Sequence, residues 1–325
     1  MASTFYRVMR TQPPVAVQPP KKIIKNMRGD ALEMTVFFVG SGEAILLRRH
    51  DKAILIDAGV AGSKKGKALG KKLADYIEDP NKTGVGLTLV AIVSSHPHVD
   101  HINAVPTLLA EIDTTTLSQN ARYYHNGVDV ADGLKPDLTA AVNAAFGRAR
   151  ILVVGANGGH PNSGPIVPPL APDVTIRIAV QHGKKFESNP KYRSIFMKLR
   201  FRKAKFIFTG DANTGNAAKN DDYETRMLEL LPEPSHNQDV LKITHHGSKH
   251  GTGNAFVAKT EPRISVASTS EKTDHSLKAA VRGRLRQHGV AFDTHRTGGD
   301  IIVRTDGKRR KLDGKYGILY EVEES

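Results

Sequence analysis

The chain has 325 residues, of which 47 are Lys or Arg and 33 are Asp or Glu, so its formal net charge is +14. It contains no cysteine, which excludes disulfides and thiolate metal sites, so any metal must be held by His, Asp or Glu. The excess of positive charge favours a polyanionic partner such as nucleic acid, with a basic protein that has no nucleic-acid role as the alternative.

The first 31 residues are rich in proline and lysine and predict a poorly ordered arm or an extended strap. Lys21, Lys22 and Lys25 are not followed by an apolar core, so this arm does not read as a signal peptide. No run in the chain approaches the roughly 18 apolar residues of a membrane-spanning helix. We therefore expect a cytoplasmic protein without membrane contact, in which one domain occupies residues 32–325.

From Leu32 onward, short apolar strands alternate with amphipathic helices. Helices are expected at 64–77, 102–112, 223–231 and 277–288. Strands are expected at 34–39, 44–47, 53–56, 87–93, 174–180, 194–201, 205–209, 240–243, 263–266, 301–303 and 316–322. The order predicts an α/β fold with two packed mixed sheets and helices outside, a four-layer αββα sandwich. The Gly- and Pro-rich tract 155–172 is a candidate lid or specificity loop.

One apolar strand ends in an unusual cluster. The run His-Pro-His-Val-Asp-His, from His96 to His101, places three imidazoles and a carboxylate within six residues. Imidazole nitrogen and carboxylate oxygen suit Zn²⁺ and similar cations. On an extended chain His96 and His98 point the same way, whereas Asp100 and His101 must turn back toward a second position. This spacing predicts a metal site and not a histidine-rich surface loop.

Groups of the same kind occur elsewhere at the ends of predicted elements. Asp57, Asp211 and the pair His245-His246 each follow an apolar strand, and His275 directly precedes a helix. Side chains that follow strands in this way can meet at one edge of a fold, so the five segments predict a single composite site.

These motifs, in this order, resemble those of the metallo-β-lactamase superfamily, whose members carry Asp, HxHxDH, His, Asp and His. Within the superfamily the chain is most similar to the hydrolase domain of ComEC-type competence proteins. The likeness lies in residues 39–44, 96–101, 209–211, 239–248, 274–276, 289–290 and 297–301. The resemblance implies the metallo-β-lactamase sandwich over residues 32–325 and a metal-dependent hydrolase.

The resemblance implies two divalent metal ions, zinc or else manganese or iron. The implied ligands are His96 and His98 for the first ion, Asp100, His101 and His246 for the second, and Asp211 between the two. Asp57 would orient a ligand through hydrogen bonds and not bind metal itself.

Catalytic roles are implied for Asp100, which also serves as a ligand, and for His245 and His275. Either histidine could contact a phosphate or protonate the leaving group, because imidazole titrates in the range that such a task needs. Either could instead support the ligands through hydrogen bonds.

The chain departs from the family pattern at one position. The superfamily has a further histidine on the first metal, between the HxHxDH run and the bridging Asp, and no clear equivalent is present. His182 has the best context because it ends a predicted strand, His160 in the Gly-rich tract is second, and His125 is third. Without a third histidine the first metal would be weakly held or absent.

The sequence thus predicts a phosphodiesterase or nuclease that uses a metal-bound hydroxide at a dinuclear site. One alternative is a small-molecule hydrolase of the same fold, acting on a lactone, a phosphocholine-type ester or a cyclic nucleotide. The other is a non-catalytic binding protein on the same scaffold. Three lysine- and arginine-rich groups could follow a phosphate backbone or simply be solvated surface, namely residues 64–67, 200–205 and 308–311.

Overall fold

The structure is a computed structural model that describes residues 4–9, 29–127, 135–155, 163–166, 168–180, 194–212, 223–231, 236–271, 276–312 and 315–324. Within these ranges, two mixed β-sheets pack face to face, and helices cover both outer faces. The predicted αββα sandwich is confirmed. No helix in the described ranges is long and apolar enough to cross a membrane.

The elements are numbered in chain order. The strands of the first sheet are β1 (Thr4–Met9), β2 (Leu32–Val36), β3 (Gly42–Arg49), β4 (Lys52–Val60), β5 (Thr88–Ser94), β6 (Leu117–His125), β7 (Ile151–Val153), β15 (Ile301–Thr305), β16 (Arg309–Leu312) and β17 (Lys315–Glu324). The strands of the second sheet are β8 (Ser163–Pro165), β9 (Val174–Ala179), β10 (Phe196–Phe201), β11 (Ala204–Phe208), β12 (Val240–Lys242), β13 (Ile264–Ala267) and β14 (Val290–Asp293). The helices are α1 (Ser63–Glu78), α2 (Pro80–Thr83), α3 (Val99–Ile102), α4 (Val105–Glu111), α5 (Lys135–Phe146), α6 (Tyr223–Leu230), α7 (Asn254–Thr260), α8 (Ala279–Arg286) and α9 (Thr294–Thr297).

Alternation along the strands explains the layers. In β3, Ile45 and Leu47 face the core between the two sheets, while Ala44 and Leu46 face the helices α1, α4 and α5. A strand sends successive side chains to opposite faces, so a strand that is apolar on both faces must be covered on both. The second sheet repeats this arrangement, with α6, α7 and α8 on its outer face.

Each sheet is parallel in the half that carries the predicted site motifs. In the first sheet β4, β5, β6 and β7 pair in parallel, and in the second sheet β11, β12, β13 and β14 do the same. Parallel strands end at the same edge, so the loops after β5, β11 and β12 can converge there. Ligands of open α/β sheets bind at this edge for the same reason.

Several elements differ from the sequence prediction. Regular structure does not first begin at Leu32, because β1 in the proline-rich arm pairs with β17. The single helix expected at 102–112 is divided into α3 and α4 around Asn103, whose side chain bonds to the backbone of Val60. The described part of the tract 155–172 forms β8 and packs Ile166 and Leu170 into the central core, so that part is not the lid that the sequence predicts.

A charged cluster ties the two sheets together away from the motifs. Arg49, at the end of β3, is buried and donates to Asp173 at 2.9 Å and to Asp30 at 2.9 Å. Arg202, in the turn between β10 and β11, lies 3.3 Å from the same Asp173 oxygen. Both guanidinium groups lie over the ring of Phe201, at 5.0 and 4.8 Å from its centroid. Hydrogen bonding to Arg49 lowers the pKa of Asp173.

We predict that Asp173→Asn lowers the free energy of unfolding by about 1 kcal/mol at pH 7, the net worth of a half-exposed charged hydrogen bond. Because the pKa of Asp173 is lower in the folded chain, its contribution is present above the unfolded value of about 4 and is lost as pH falls through the folded value. Urea unfolding with a chelator present, at pH 7 and pH 3, should therefore show a difference that shrinks in acid. The exposed Asp75→Asn is the control, and an equal difference at both pH values would contradict the account.

Candidate metal centre

Asp57 occupies an irregularity in β4. The register between β3 and β4 shifts at this point, so that Ala44 lies opposite Ala58, Ile45 lies opposite Ile56, and Asp57 is the extra residue. Its φ is +55°, an uncommon value for a residue with a side chain. Such a bulge changes the direction of a side chain, and bulges are frequent beside functional sites.

The Asp57 carboxylate holds the start of the histidine run in place. One oxygen accepts the Ser95 backbone N–H at 2.7 Å, and the other accepts the Ser95 hydroxyl at 2.7 Å. That second oxygen also accepts the His101 Nδ1–H at 2.8 Å. These contacts are the ones expected of a residue that orients a metal ligand, as the resemblance implies for Asp57.

Hydrogen bonds at Nδ1 define the tautomers of three histidines. His101 donates from Nδ1 to Asp57, and His246 Nδ1 donates to the Ser268 carbonyl at 3.1 Å. His96 Nδ1 lies 3.1 Å from the Ser95 hydroxyl, whose own hydrogen goes to Asp57, so His96 is again the donor. Nδ1 of each ring is therefore engaged by the protein, and Nε2 is the atom left to bind a metal when the imidazole is neutral.

The Nε2 atoms converge on the buried carboxylate of Asp211. His101 Nε2 lies 3.3 Å and His246 Nε2 lies 3.6 Å from Asp211 Oδ1. On the other oxygen, Oδ2, His245 Nε2 lies at 3.5 Å and His96 Nε2 at 3.7 Å. Ligands at about 2.1 Å in a tetrahedral site are about 3.4 Å from one another, so this spacing suits atoms that share a cation.

Two sets of residues bring three ligand atoms within 4.8 Å of one another: His96, His101 and Asp211, and Asp100, His101 and His246. Asp100 Oδ2 lies 3.5 Å from His246 Nε2 and 3.9 Å from His101 Nε2. The Nε2 atoms of His96 and His101 are buried and have no hydrogen-bond partner in the described part of the chain. A buried nitrogen in that position is costly unless something binds it, and a divalent cation fits.

The electrostatics of the cluster also suit a cation. Burial lowers the pKa of His96 well below its usual value, and His101 lowers it further, so His96 is neutral. Burial opposes ionisation of Asp211, but His101 and His246 hold its pKa well below the usual range. Burial likewise opposes protonation of His101, yet Asp211 and Asp57 raise its pKa well above the usual value. His96 thus offers a neutral imidazole and Asp211 a negative charge, and the carboxylates that raise the pKa of His101 would equally attract a divalent cation in place of its proton.

The sequence did not single out the groups that support the tandem histidines. Buried Glu224, on α6, accepts Thr244 Oγ1 at 2.5 Å and the backbone N–H groups of Thr252 and Gly253 at 2.6 and 2.8 Å. These bonds fasten the turn that begins with Thr244. No local pattern reveals this role, because Glu224 lies on an ordinary amphipathic helix and its partners are 20 or more residues away.

Glu43 also supports the tandem histidines, and its own role could not be predicted from the sequence. It is buried, accepts the Lys242 ammonium at 2.5 Å, and lies 3.8 Å from His246 Nδ1. The motif Val-Gly-Ser-Gly-Glu-Ala, which contains Glu43, is part of the family resemblance. The sequence does not show that Glu43 pairs with Lys242, because the two residues belong to different sheets.

The remaining predicted residues fall into two groups. His98 precedes α3 and its ring centroid lies 4.4 Å from that of His96, but it is in neither three-atom set. His125, at the end of β6, accepts the Gly127 N–H at 3.3 Å and is also in neither set. His160, His182 and His275 lie outside the described residues, so their predicted roles stay predictions.

A family model described as the metallo-beta-lactamase superfamily matches residues 38–270. The chain belongs to this superfamily. The match spans the histidine run, Asp211 and the tandem histidines, which are the segments that form the cluster. The superfamily resemblance inferred from the sequence is therefore confirmed, while the likeness to ComEC-type proteins stays a prediction.

Three solved structures are similar to this chain at low sequence identity. The metallo-beta-lactamase fold protein YhfI from Bacillus subtilis is 14% identical over 81% of this chain and 96% of that chain, with a TM-score of 0.47. The short form of human tRNase Z is 15% identical over 75% and 96%, with a TM-score of 0.43. Zn²⁺-bound PqqB from Methylobacterium extorquens is 9% identical over 81% and 98%, with a TM-score of 0.43. These values carry no argument about function, and no match was found among curated proteins.

We predict that Asp57→Asn lowers the affinity for Zn²⁺ by about 10- to 100-fold. Asparagine tolerates the positive φ of this position, so the backbone is preserved. Its NH₂ group would face the Ser95 hydroxyl and the His101 Nδ1–H, both of which are donors. Isothermal titration of the metal-free protein measures the change. Asp51→Asn, on the exposed turn before β4, is the matched control, and equal affinities for the two variants would contradict the assigned role of Asp57.

Proposed function

We propose that this protein is a hydrolase that cleaves phosphodiesters with two divalent metal ions, and that nucleic acid is its substrate class. The observation that carries the proposal is the convergence of imidazole nitrogens from both sheets on the two oxygens of Asp211. Such a bridging carboxylate is what a two-metal site requires. When bound, the metals lower the pKa of a coordinated water and polarise the phosphoryl oxygen.

The chain's own residues prepare this site. His96 and His98 are proposed for the first metal, and Asp100, His101 and His246 for the second, with Asp211 shared. Asp57 and the Ser268 carbonyl hold two of the rings in the tautomer that offers Nε2. A site whose ligands are oriented before substrate arrives needs no reorganisation during the reaction, which is the main source of electrostatic catalysis.

Three exposed lysines lie near the start of α1. Lys64, Lys65 and Lys67 lie on the first turn and a half of α1 and are solvent-exposed. The start of this helix is bound to the residue that follows α3, because Asn103 donates to the carbonyls of Val60 and, at 3.3 Å, Gly62. Since α3 carries Asp100 and His101, we propose that these lysines hold a phosphate backbone near the metals.

Two further observations support a polyanionic substrate. The net charge of +14 favours association with phosphate backbones. The motif order is similar to that of the hydrolase domain of ComEC-type competence proteins, which we offer as the subfamily of this chain. His275 is proposed to protonate the leaving group, because it follows the family motif and lies outside the proposed ligand set.

We predict that the protein loaded with Zn²⁺ or Mn²⁺ hydrolyses bis-p-nitrophenyl phosphate and single-stranded DNA. Asp211→Asn should lower kcat/KM on both substrates by at least about 100-fold, because even loss of a residue that only supports a metal ligand can cost this much. Asp51→Asn should leave kcat/KM unchanged. No turnover with either metal would refute the enzyme proposal, and turnover of the small ester alone would indicate a small-molecule hydrolase.

The lysines are tested by charge removal. The plot of log affinity for single-stranded DNA against log salt has a negative slope. In Lys64→Gln/Lys65→Gln/Lys67→Gln this slope should become shallower by about 2, since each lost phosphate contact removes about 0.7 from its magnitude. Turnover of bis-p-nitrophenyl phosphate should stay unchanged.

A matched triple variant controls for net charge. Lys52→Gln/Lys259→Gln/Arg286→Gln removes the same charge from exposed positions at the start of β4 and at the ends of α7 and α8, near the edge of the sheets that is opposite the carboxyl edge. If both triple variants change the salt slope equally, the effect comes from net charge and the proposed binding surface is wrong.

A further inference from the structure

The tandem histidines adopt a backbone that residues with side chains rarely use. His245 has φ 51° and ψ 50°, and His246 has φ 52° and ψ 19°. A residue with a side chain keeps such a conformation only where its surroundings hold it. Two consecutive residues in this conformation indicate that the positions of both imidazole rings matter for the site.

The two rings reach opposite oxygens of one carboxylate. His246 Nε2 lies 3.6 Å from Asp211 Oδ1, while His245 Nε2 lies 3.5 Å from Asp211 Oδ2. His96 Nε2 lies 3.7 Å from that same Oδ2. Each of the two distances to Oδ2 is close to the separation of about 3.4 Å between ligands of one tetrahedral cation, although His245, like His98, is in neither set of three ligand atoms within 4.8 Å. His245 and His246 therefore face different oxygens of Asp211.

The turn that carries His245 is fastened to the turn that carries Asp211. The His245 backbone N–H donates to the Gly210 carbonyl at 3.0 Å. Just before it, Thr244 Oγ1 lies 2.9 Å from Thr209 Oγ1 and donates to Glu224 at 2.5 Å. Several hydrogen bonds between the two turns therefore determine how close His245 lies to Asp211.

The same geometry argues against a role of His245 in contacting the substrate. The side chain of His245 is 17% exposed, and its Nε2 is turned toward Asp211. A nitrogen that faces the bridging carboxylate is not available to a phosphate at the same time. A ring directed at a substrate would instead present its nitrogen to solvent.

We propose that His245 supplies the third histidine of the first metal site, together with His96, His98 and Asp211. It would take the place of the family histidine for which the sequence between His101 and Asp211 offers no clear equivalent. One turn after β12 would then serve both metals, through His245 for the first and His246 for the second. This inference rests on the proposed function and deepens it.

The test is the number of metal ions per chain. Wild-type protein, loaded with Zn²⁺ and desalted, should contain two ions by plasma mass spectrometry, and His245→Asn should contain one. Asparagine keeps the left-handed backbone accessible while removing the ring. A two-site titration isotherm for the wild type should become a one-site isotherm for the variant, with an unchanged thermal unfolding curve for the metal-free proteins.

Control variants separate His245 from the other candidates. His125→Ala and His182→Ala should each keep two ions. The inference is overturned if the wild type binds a single ion, if His245→Asn binds as many ions as the wild type, or if His182→Ala alone loses one. Because metal content is measured without turnover, a protein that binds two ions but cleaves no phosphodiester would refute the proposed activity and leave this inference standing.

Discussion

The buried carboxylate of Asp211 is the constraint on which the rest of the site depends. A buried ionised carboxylate costs several kcal/mol unless opposite charge and hydrogen-bond donors surround it. Its neighbours come from different layers: His96 and His101 from the first sheet, and His246 from the second. The packing of the two sheets therefore determines whether the ligand atoms meet, and the cluster in turn fastens the two sheets at their carboxyl edge.

Several residues around this carboxylate have an uncommon backbone conformation. Asp57, His245 and His246 all have positive φ, and Gly210, which precedes Asp211, has φ +52°. A side chain at Gly210 would also approach Ser95 at 3.0 Å, so both conformation and space favour glycine there. The three hydrophobic cores, one between the sheets and one under the helices on each outer face, can hold residues in this conformation. Residues with strained backbones are common at functional sites.

Much of this arrangement could be predicted from the sequence, because most of the motifs follow an apolar strand. The strand and the motif can each be recognised from the local residue pattern. The αββα sandwich follows from that pattern, and the resemblance to the metallo-β-lactamase superfamily adds the grouping of Asp100, His101, His246 and Asp211. The supports could not be predicted: the bulge at Asp57 depends on the register between two strands, and Glu224 acts across the fold. The arm was misjudged for the same reason, because β1 exists only by pairing with β17, which is more than 300 residues later.

His245 illustrates the limit of motif transfer. The family pattern places a histidine of the first metal before Asp211 in the chain, whereas His245, which we propose for that role, comes after it and lies 3.5 Å from Asp211 Oδ2. This proximity depends on the contact between the turns after β11 and β12, which no sequence motif shows.

The most direct test of the account is the anomalous scattering of crystals soaked in Zn²⁺, measured on both sides of the zinc absorption edge. The account predicts two peaks about 3.5–4 Å apart, one on each side of the Asp211 carboxylate. The absence of any peak at Asp211, or peaks only at sites remote from it, would contradict the claim that this carboxylate joins two metal positions.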